Sequence, residues 1–351
     1  MKIRAHKLGS VVSRLNLDHD VEISRMVEAR SGQVVVVRAL EEKRVYDQLE
    51  LTSGRMAHVG KGDVIVGALG RRDALRGFQG IVPAQVRAGD TVHLLNLGGV
   101  IGQAVSENKD FGHPLRCEVL GMAVRGGKGL NIADAAIPTA DHISPEDCPP
   151  LIVVSGTCMN AGKTVACCEV IAKLTARGYA CAGVKMTGVA CQKDLLNMRD
   201  HGALATLSFL DCGMPSTAGM TDVAPIAKGI LKAIAKETAK STNEELDVVV
   251  VEMGDGVIGA YGVRSVLEDA EIRALFKAHI LCANDLVAAW GGVQWLKAIG
   301  RGVDVVAGPA TDNDVGIRYV STDLGIPAAN ARVEPDRFAD LVEQKAFGTS
   351  P

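Results

Sequence analysis

Aromatic residues are scarce in this chain: two Trp, four Tyr and six Phe in 351 positions. Its cores must therefore be built from Val, Ala and Leu, and 39 Gly supply tight turns. An excess of charge of either sign is also missing, since 38 Lys and Arg stand against 41 Asp and Glu, a net charge of −3. That balance excludes strong sequence-independent attraction to nucleic acid or an anionic membrane, and leaves a small molecule as the default partner. No run of 18 apolar residues goes without a charge, and the opening MKIRAHKLGSVVSRLNL holds no apolar stretch of signal-peptide length, so a cytoplasmic location is expected. Cysteine occurs without pattern. Cys117, Cys148, Cys158, Cys167, Cys168, Cys181, Cys191, Cys212 and Cys282 are odd in number and lack the short repeated spacings of a disulfide framework or zinc site, which reads as reduced core and loop thiols.

What is present is globular: 47% of the residues are hydrophobic and 23% charged, over a length that corresponds to roughly two domains. From Val34 to about Arg125, short β-type runs alternate with Gly and charged turns: VVVVRAL (34–40), DVIVGAL (63–69), TVHLLNL (91–97) and CEVLGMAV (117–124). These predict a β-rich unit over 1–140, a small mainly antiparallel sheet or barrel, with a short helix around 20–30. Four prolines in IPTADHISPEDCPP (137–150) mark 141–150 as a linker. After it, over 151–351, apolar strands alternate with helices: LIVVS (151–155), a helix from about Lys163 to Arg177, ACAGVKM (180–186), helices near 194–207 and 222–240, and DVVVVEM (247–253). AHILCA (278–283), a helix near 286–299, VDVVAG (303–308), a helix near 314–324 and IPAANA (326–331) complete the series. Continuous Val and Ile runs separated by helices predict an α/β unit with a doubly wound parallel sheet covered on both faces.

The strongest local signal is SGTCMNAGKT (155–164), placed between an apolar strand and an amphipathic helix, as a phosphate-binding P-loop requires. Backbone N–H groups of Gly156, Thr157, Asn160, Ala161 and Gly162 can point at phosphate oxygens, Lys163 adds a charge, and the Thr164 hydroxyl suits Mg²⁺. The usual first glycine of the motif is Thr157 here, and the glycine has moved one place earlier, to Gly156. Glu252 ends a four-Val run, where open parallel sheets bind ligands and where a buried carboxylate is costly without a cation.

The stretch GTCMNAGKTVACCEVIAKLTARGYACAGVKMTG (156–188) resembles the opening of dethiobiotin synthetase, a P-loop enzyme of the SIMIBI class. The resemblance implies that Lys163 binds phosphate, that Thr164 binds Mg²⁺ and that Lys185 contacts a substrate carboxyl or carbamate and the γ-phosphate. It further implies Asp200, in NMRDHGALA (197–205), as a metal-binding aspartate at the start of the next helix, with His201 beside it, and Glu252 as a third Mg²⁺ ligand. Asn313, displaced in GPATDND (308–314), is left as the residue to touch the base. Cys158 stands where that family carries an acidic residue, and the N-terminal 150 residues have no counterpart there, so a different acceptor is implied. The expected activity is Mg-ATP-dependent phosphoryl transfer of the ligase or kinase type, with GTP as the alternative nucleotide, onto a small carboxylate or amine substrate in a homodimer. VEMGDGVIGAYG (251–262) with TGVAC (187–191) also resembles the DUF1611 type, which implies an amino-acid N-acetyltransferase that uses coenzyme A as its acyl carrier. A nucleotide-switched adaptor or metallochaperone GTPase is the third reading. Trp290 and Trp295 are expected in a core or a subunit contact.

Overall fold

The computed structural model of the chain describes residues 1–242 and 244–348; the last residues of the expected α/β unit, 349–351, lie outside them. The chain folds into two compact units, and the division is not contiguous. The first comprises Met1–Ile137 together with the short segments Val189–Lys193 and Phe209–Gly219, and the second is the remainder.

In the first unit five strands close a ring. Leu115–Arg125 pairs with Val34–Ala39, which pairs with Val64–Leu69, which pairs in parallel with Val100–Glu107. Thr91–Leu94 joins Val100–Glu107 back to Leu115–Arg125, both contacts antiparallel. Closure leaves these strands no open edge. Side chains alternate along each strand, so Val35, Val37, Ile65 and Leu69 fill one core, while Val34, Val36, Val64 and Val66 face a second. That second core also takes Val11, Val12, Leu15, Ala190 and Leu210. Burial on both faces is why VVVV is continuous rather than alternating with polar residues. The helix expected near 20–30 is instead a strand, Asp20–Ser24, in which buried Val21 and Ile23 alternate with exposed Asp20 and Glu22. A period of two, not 3.6, governs that stretch.

The second unit opens with β1 (Leu151–Gly156), α1 (Lys163–Ala176), β2 (Cys181–Lys185), α2 (Lys193–Asp200), β3 (Thr206–Ser208), α3 (Ala224–Thr242) and β4 (Val248–Glu252). It continues through α4 (Val263–Glu268), α5 (Ala270–Ala274), β5 (Phe276–Cys282), α6 (Leu286–Ala298), β6 (Val305–Ala307), α7 (Asp314–Asp323) and α8 (Pro335–Phe347). Its sheet is parallel throughout, in the order β3-β2-β4-β1-β5-β6. Ile152, Val154, Val250 and Ile280 share one core with Val170 and Ile171 of α1 and with Phe338 and Val342 of α8. Val306 points the other way, into a core with Ala289 of α6 and Val320 of α7. The fold is therefore a P-loop-type α/β sheet with helices on both faces, and a β-rich N-terminal sheet is present in the first unit. The helix expected over 194–207 stops at Asp200, because Gly202 turns the chain with φ 107 and β3 follows. IPAANA contributes an isolated parallel bridge, Val306 with Ala328, rather than a strand. Three helices, α4, α5 and α8, have no counterpart among the elements expected from the sequence. No helix among the described residues is long and apolar enough to cross a membrane.

Candidate functional site

β1 is the centre of the sheet, flanked by β4 and β5, and the chain leaves its C-terminal end into the loop 157–162 before α1. Parallel strands deliver everything at their C-terminal ends to the same edge. The loop is held from both sides: Thr157 N donates to the Cys282 carbonyl at 2.9 Å and Val257 N to the Gly156 carbonyl at 2.8 Å. Asn160 and Gly162 take left-handed backbone, φ 61 and 91, curling the loop towards the start of α1. The first intrahelical bond runs from Ala166 N to the Gly162 carbonyl, so the earlier N–H groups of α1 have no partner in the helix and face the loop. Lys163 is buried, and its ammonium donates to the Cys158 carbonyl at 2.8 Å, lying back over the loop.

Four further side chains meet beside it. The Thr164 hydroxyl lies 3.0 Å from Glu252 Oε1 and 3.3 Å from Asp194 Oδ1 and can donate to either. Lys185, at the end of β2, pairs with Asp194 and lies 3.7 Å from Glu252 Oε1. Adjacent registers place Lys185 directly beside Glu252 across β2 and β4. Glu252 is 2% exposed, and its second oxygen, Oε2, is buried without a hydrogen-bond partner. Burial lifts its carboxyl above the usual carboxylate range, against the opposing pull of Lys185. Loop residues 254–256 run close by: a Cβ at Gly254 would overlap the Thr187 carbonyl, and one at Gly256 the Thr157 carbonyl. Only glycine permits that approach.

The sequence-derived set is thus gathered in part. Lys163, Thr164, Lys185 and Glu252 converge, with Gly156, Thr157, Asn160, Ala161 and Gly162 forming the loop. Asp200 does not join them. It is exposed at the last residue of α2, about 9 Å along the axis from Asp194. A crossover helix runs antiparallel to its strands, so only its first turn returns to the edge where the loop sits. Asp194 occupies that turn, and its position directly after the loop that follows β2 was the signal that could have found it. His201, whose Nδ1–H donates to the Asn197 carbonyl, lies at the same far end as Asp200. Asn313 is the N-cap of α7, its side-chain oxygen accepting from Val315 N at 3.0 Å and Gly316 N at 3.4 Å. Trp290 is about half exposed on α6 and lies outside the cores.

Thr164, Asp194 and Glu252 form a hard-oxygen set, and the orphaned Glu252 Oε2 is the kind of buried acceptor that a divalent cation satisfies. The nine thiols are free, and seven of them are buried, Cys158 and Cys191 being partly exposed. No group of three or more His, Cys, Asp or Glu among the described residues is arranged to hold a metal. Burial pushes Cys168 and Cys282, behind the loop, up to about 12, so neither is a thiolate at neutral pH.

No family model matches the chain, and no curated protein matches its sequence. Solved structures similar to it include a DUF1611 family protein from Anabaena variabilis, with a TM-score of 0.40 and 13% identity over 63% of this chain and 66% of that one. Chloroplast FtsY from Physcomitrella patens gives 0.37 and 12% identity over 60% and 70% of the two chains. The signal recognition particle receptor FtsY from Elizabethkingia anophelis, in complex with GDP, gives 0.36 and 14% identity over 62% and 69%.

Proposed function

We propose that the second unit is a nucleotide-dependent phosphoryl-transfer site that activates a small carboxylate or carbamate, as its resemblance to dethiobiotin synthetase implies. The observation that supports this most is the convergence of Lys163, Thr164, Lys185, Asp194 and Glu252 behind a P-loop at the C-terminal edge of the sheet. In such a site the protein supplies no nucleophile; it positions the two reactants and stabilises charge spreading over the transferred phosphoryl oxygens. The loop N–H groups and the start of α1 hold the phosphates, and Lys163 leaves the Cys158 carbonyl to neutralise them. Thr164, Asp194 and Glu252 would hold Mg²⁺, which supplies further neutralising charge to the phosphates. Lys185, at the end of β2, lines the acceptor side. An acceptor oxygen attacks the γ-phosphorus while the bond to the bridging oxygen breaks, leaving a nucleoside diphosphate and an acyl phosphate. An amine can then displace inorganic phosphate. ATP is the proposed donor, with GTP as the alternative, and a homodimer is proposed from the same resemblance.

Thermal melting of the wild type and Lys163→Ala with ATP, GTP or coenzyme A, each with and without Mg²⁺, tests this. A ligand at a hundredfold excess over its Kd stabilises by about 2.7 kcal/mol. A shift by Mg-ATP or Mg-GTP in the wild type alone is expected. A shift by coenzyme A alone would replace phosphoryl transfer with acyl transfer, and no shift by any ligand would defeat the P-loop reading.

A further inference from the structure

Glu50 lies in the first unit and is fully buried, which is rare for a carboxyl group unless its oxygens are satisfied. Its oxygens accept from three donors. The Ser10 hydroxyl and Gln192 N, the latter at 2.7 Å, donate to Oε2, and the Cys191 thiol donates to Oε1 at 3.2 Å. Two more bonds fasten the same stretch: Asn96 Nδ2 donates to the Ala190 carbonyl at 2.6 Å, and Gln192 Nε2 to Ser13 Oγ at 2.7 Å. Ala190 is itself part of that unit's core. Residues 190, 191 and 192 are thus each bonded to side chains of the first unit, with Glu50 taking two of the three.

The position of this clamp in the chain is what gives it meaning. It falls between Lys185, which ends β2, and Asp194, in the first turn of α2, two residues that pair with each other. A single residue, Lys193, separates Gln192 from Asp194. Two residues of chain span at most about 7 Å, so any displacement of Gln192 passes to the start of α2. The Asp194 carboxylate meets the side chains of Lys185 and Thr164, and the backbone entry into α2 sets the position from which it reaches them.

We infer that Glu50 is a positioning residue: by holding Cys191 and Gln192 it sets the entry into α2 and so aims Asp194. This rests on the proposed role of Asp194 as a metal ligand. A residue of the β-rich unit would thereby control metal affinity in the other unit through the covalent chain. The test uses the full-length protein as wild type, Glu50→Ala and Glu50→Gln. In Glu50→Ala the backbone amides of 190–197 should exchange about tenfold faster, with those of β1 and β4 unchanged. The Mg²⁺ concentration for half-maximal nucleotide binding should rise by about tenfold, as loss of a support behind a metal ligand typically causes, while Mg-free nucleotide binding is unchanged. Glu50→Gln keeps an acceptor for Gln192 N–H and should recover most of both effects. If Glu50→Ala does not fold, Asn96→Ala, which frees the Ala190 carbonyl, is expected to give the same two changes. Unchanged exchange over 190–197 overturns the inference, and so does faster exchange with an unchanged Mg²⁺ requirement. Should the wild type bind no nucleotide at all, the proposed function fails, and the exchange comparison still decides whether Glu50 sets the entry into α2.

Discussion

At the scale of residues, two aspartates of one helix make the sharpest contrast. Asp194 and Asp200 are chemically identical and six residues apart, yet only Asp194 reaches Thr164 and Lys185. The difference is the polarity of the crossover helix, which brings its N-terminal turn to the loop and carries its C-terminus to the opposite edge. Asp194→Asn is therefore expected to abolish the Mg²⁺ dependence of nucleotide binding, whereas Asp200→Asn leaves it as in the wild type; titrating Mg²⁺ at fixed nucleotide separates the two. Equal effects from both variants would mean that the metal set is misassigned. Glu252 had a clear signal in the sequence, a carboxylate ending a four-Val run, because a charge there has no bland structural use. Asp194 carried a weaker one, since an acidic residue in a first helical turn is also favoured by the helix dipole alone.

Among the elements, those with a strong apolar period were legible: β1, α1, β4 and β5 differ from their expected spans by at most two residues at either end. α8 was not, because its burial depends on partners far away in sequence. Phe338 and Val342 enter the core of α1, Tyr179 stacks on Phe347 with ring centroids 4.8 Å apart, and Arg177 pairs with Asp340 and Glu343. If α8 is an integral part of this core, Phe338→Ala should cost about 3–5 kcal/mol, as for other fully buried aromatics. A loss of less than about 0.5 kcal/mol in the urea unfolding free energy, the size of a surface change, would show α8 to be dispensable. The barrel strands of the first unit were likewise visible as short runs. Their closure was not, since pairing Thr91–Leu94 with two partners is a fact of register rather than of local pattern.

For the molecule as a whole, stability should carry an acid limit set inside the sheet. His279 of β5 is buried, its Nε2 2.8 Å from the Ser155 hydroxyl and its Nδ1 2.9 Å from the Gly302 carbonyl. Nδ1–H donates to the carbonyl, and Nε2 accepts from Ser155, one residue before the loop begins. Burial holds this imidazole down to about 4, from an ordinary 6.5. The unfolded chain therefore takes up the proton first as the pH falls. The contribution is fully present above pH 6.5 and is lost between about 6.5 and 4, amounting to about 3 kcal/mol at the lower end. Urea midpoints of the wild type should fall across this window, and those of His279→Gln should fall less; matching slopes would show that folding does not lower the pKa of His279.

The sequence by itself determined the phosphate loop, the helix behind it, the strands that place Lys185 and Glu252 at one edge, and the alternation of strand and helix. These follow from residues close together in the chain, where glycine geometry, periodicity and β-branched runs act locally. Tertiary structure alone decided that Asp194 rather than Asp200 meets them, that residues 189–193 and 209–219 pack with the first unit, and that Glu50 closes on Gln192 from 142 positions away. Each of these depends on where the chain returns after a long excursion. That return is set by the summed burial of both cores rather than by any neighbouring residues.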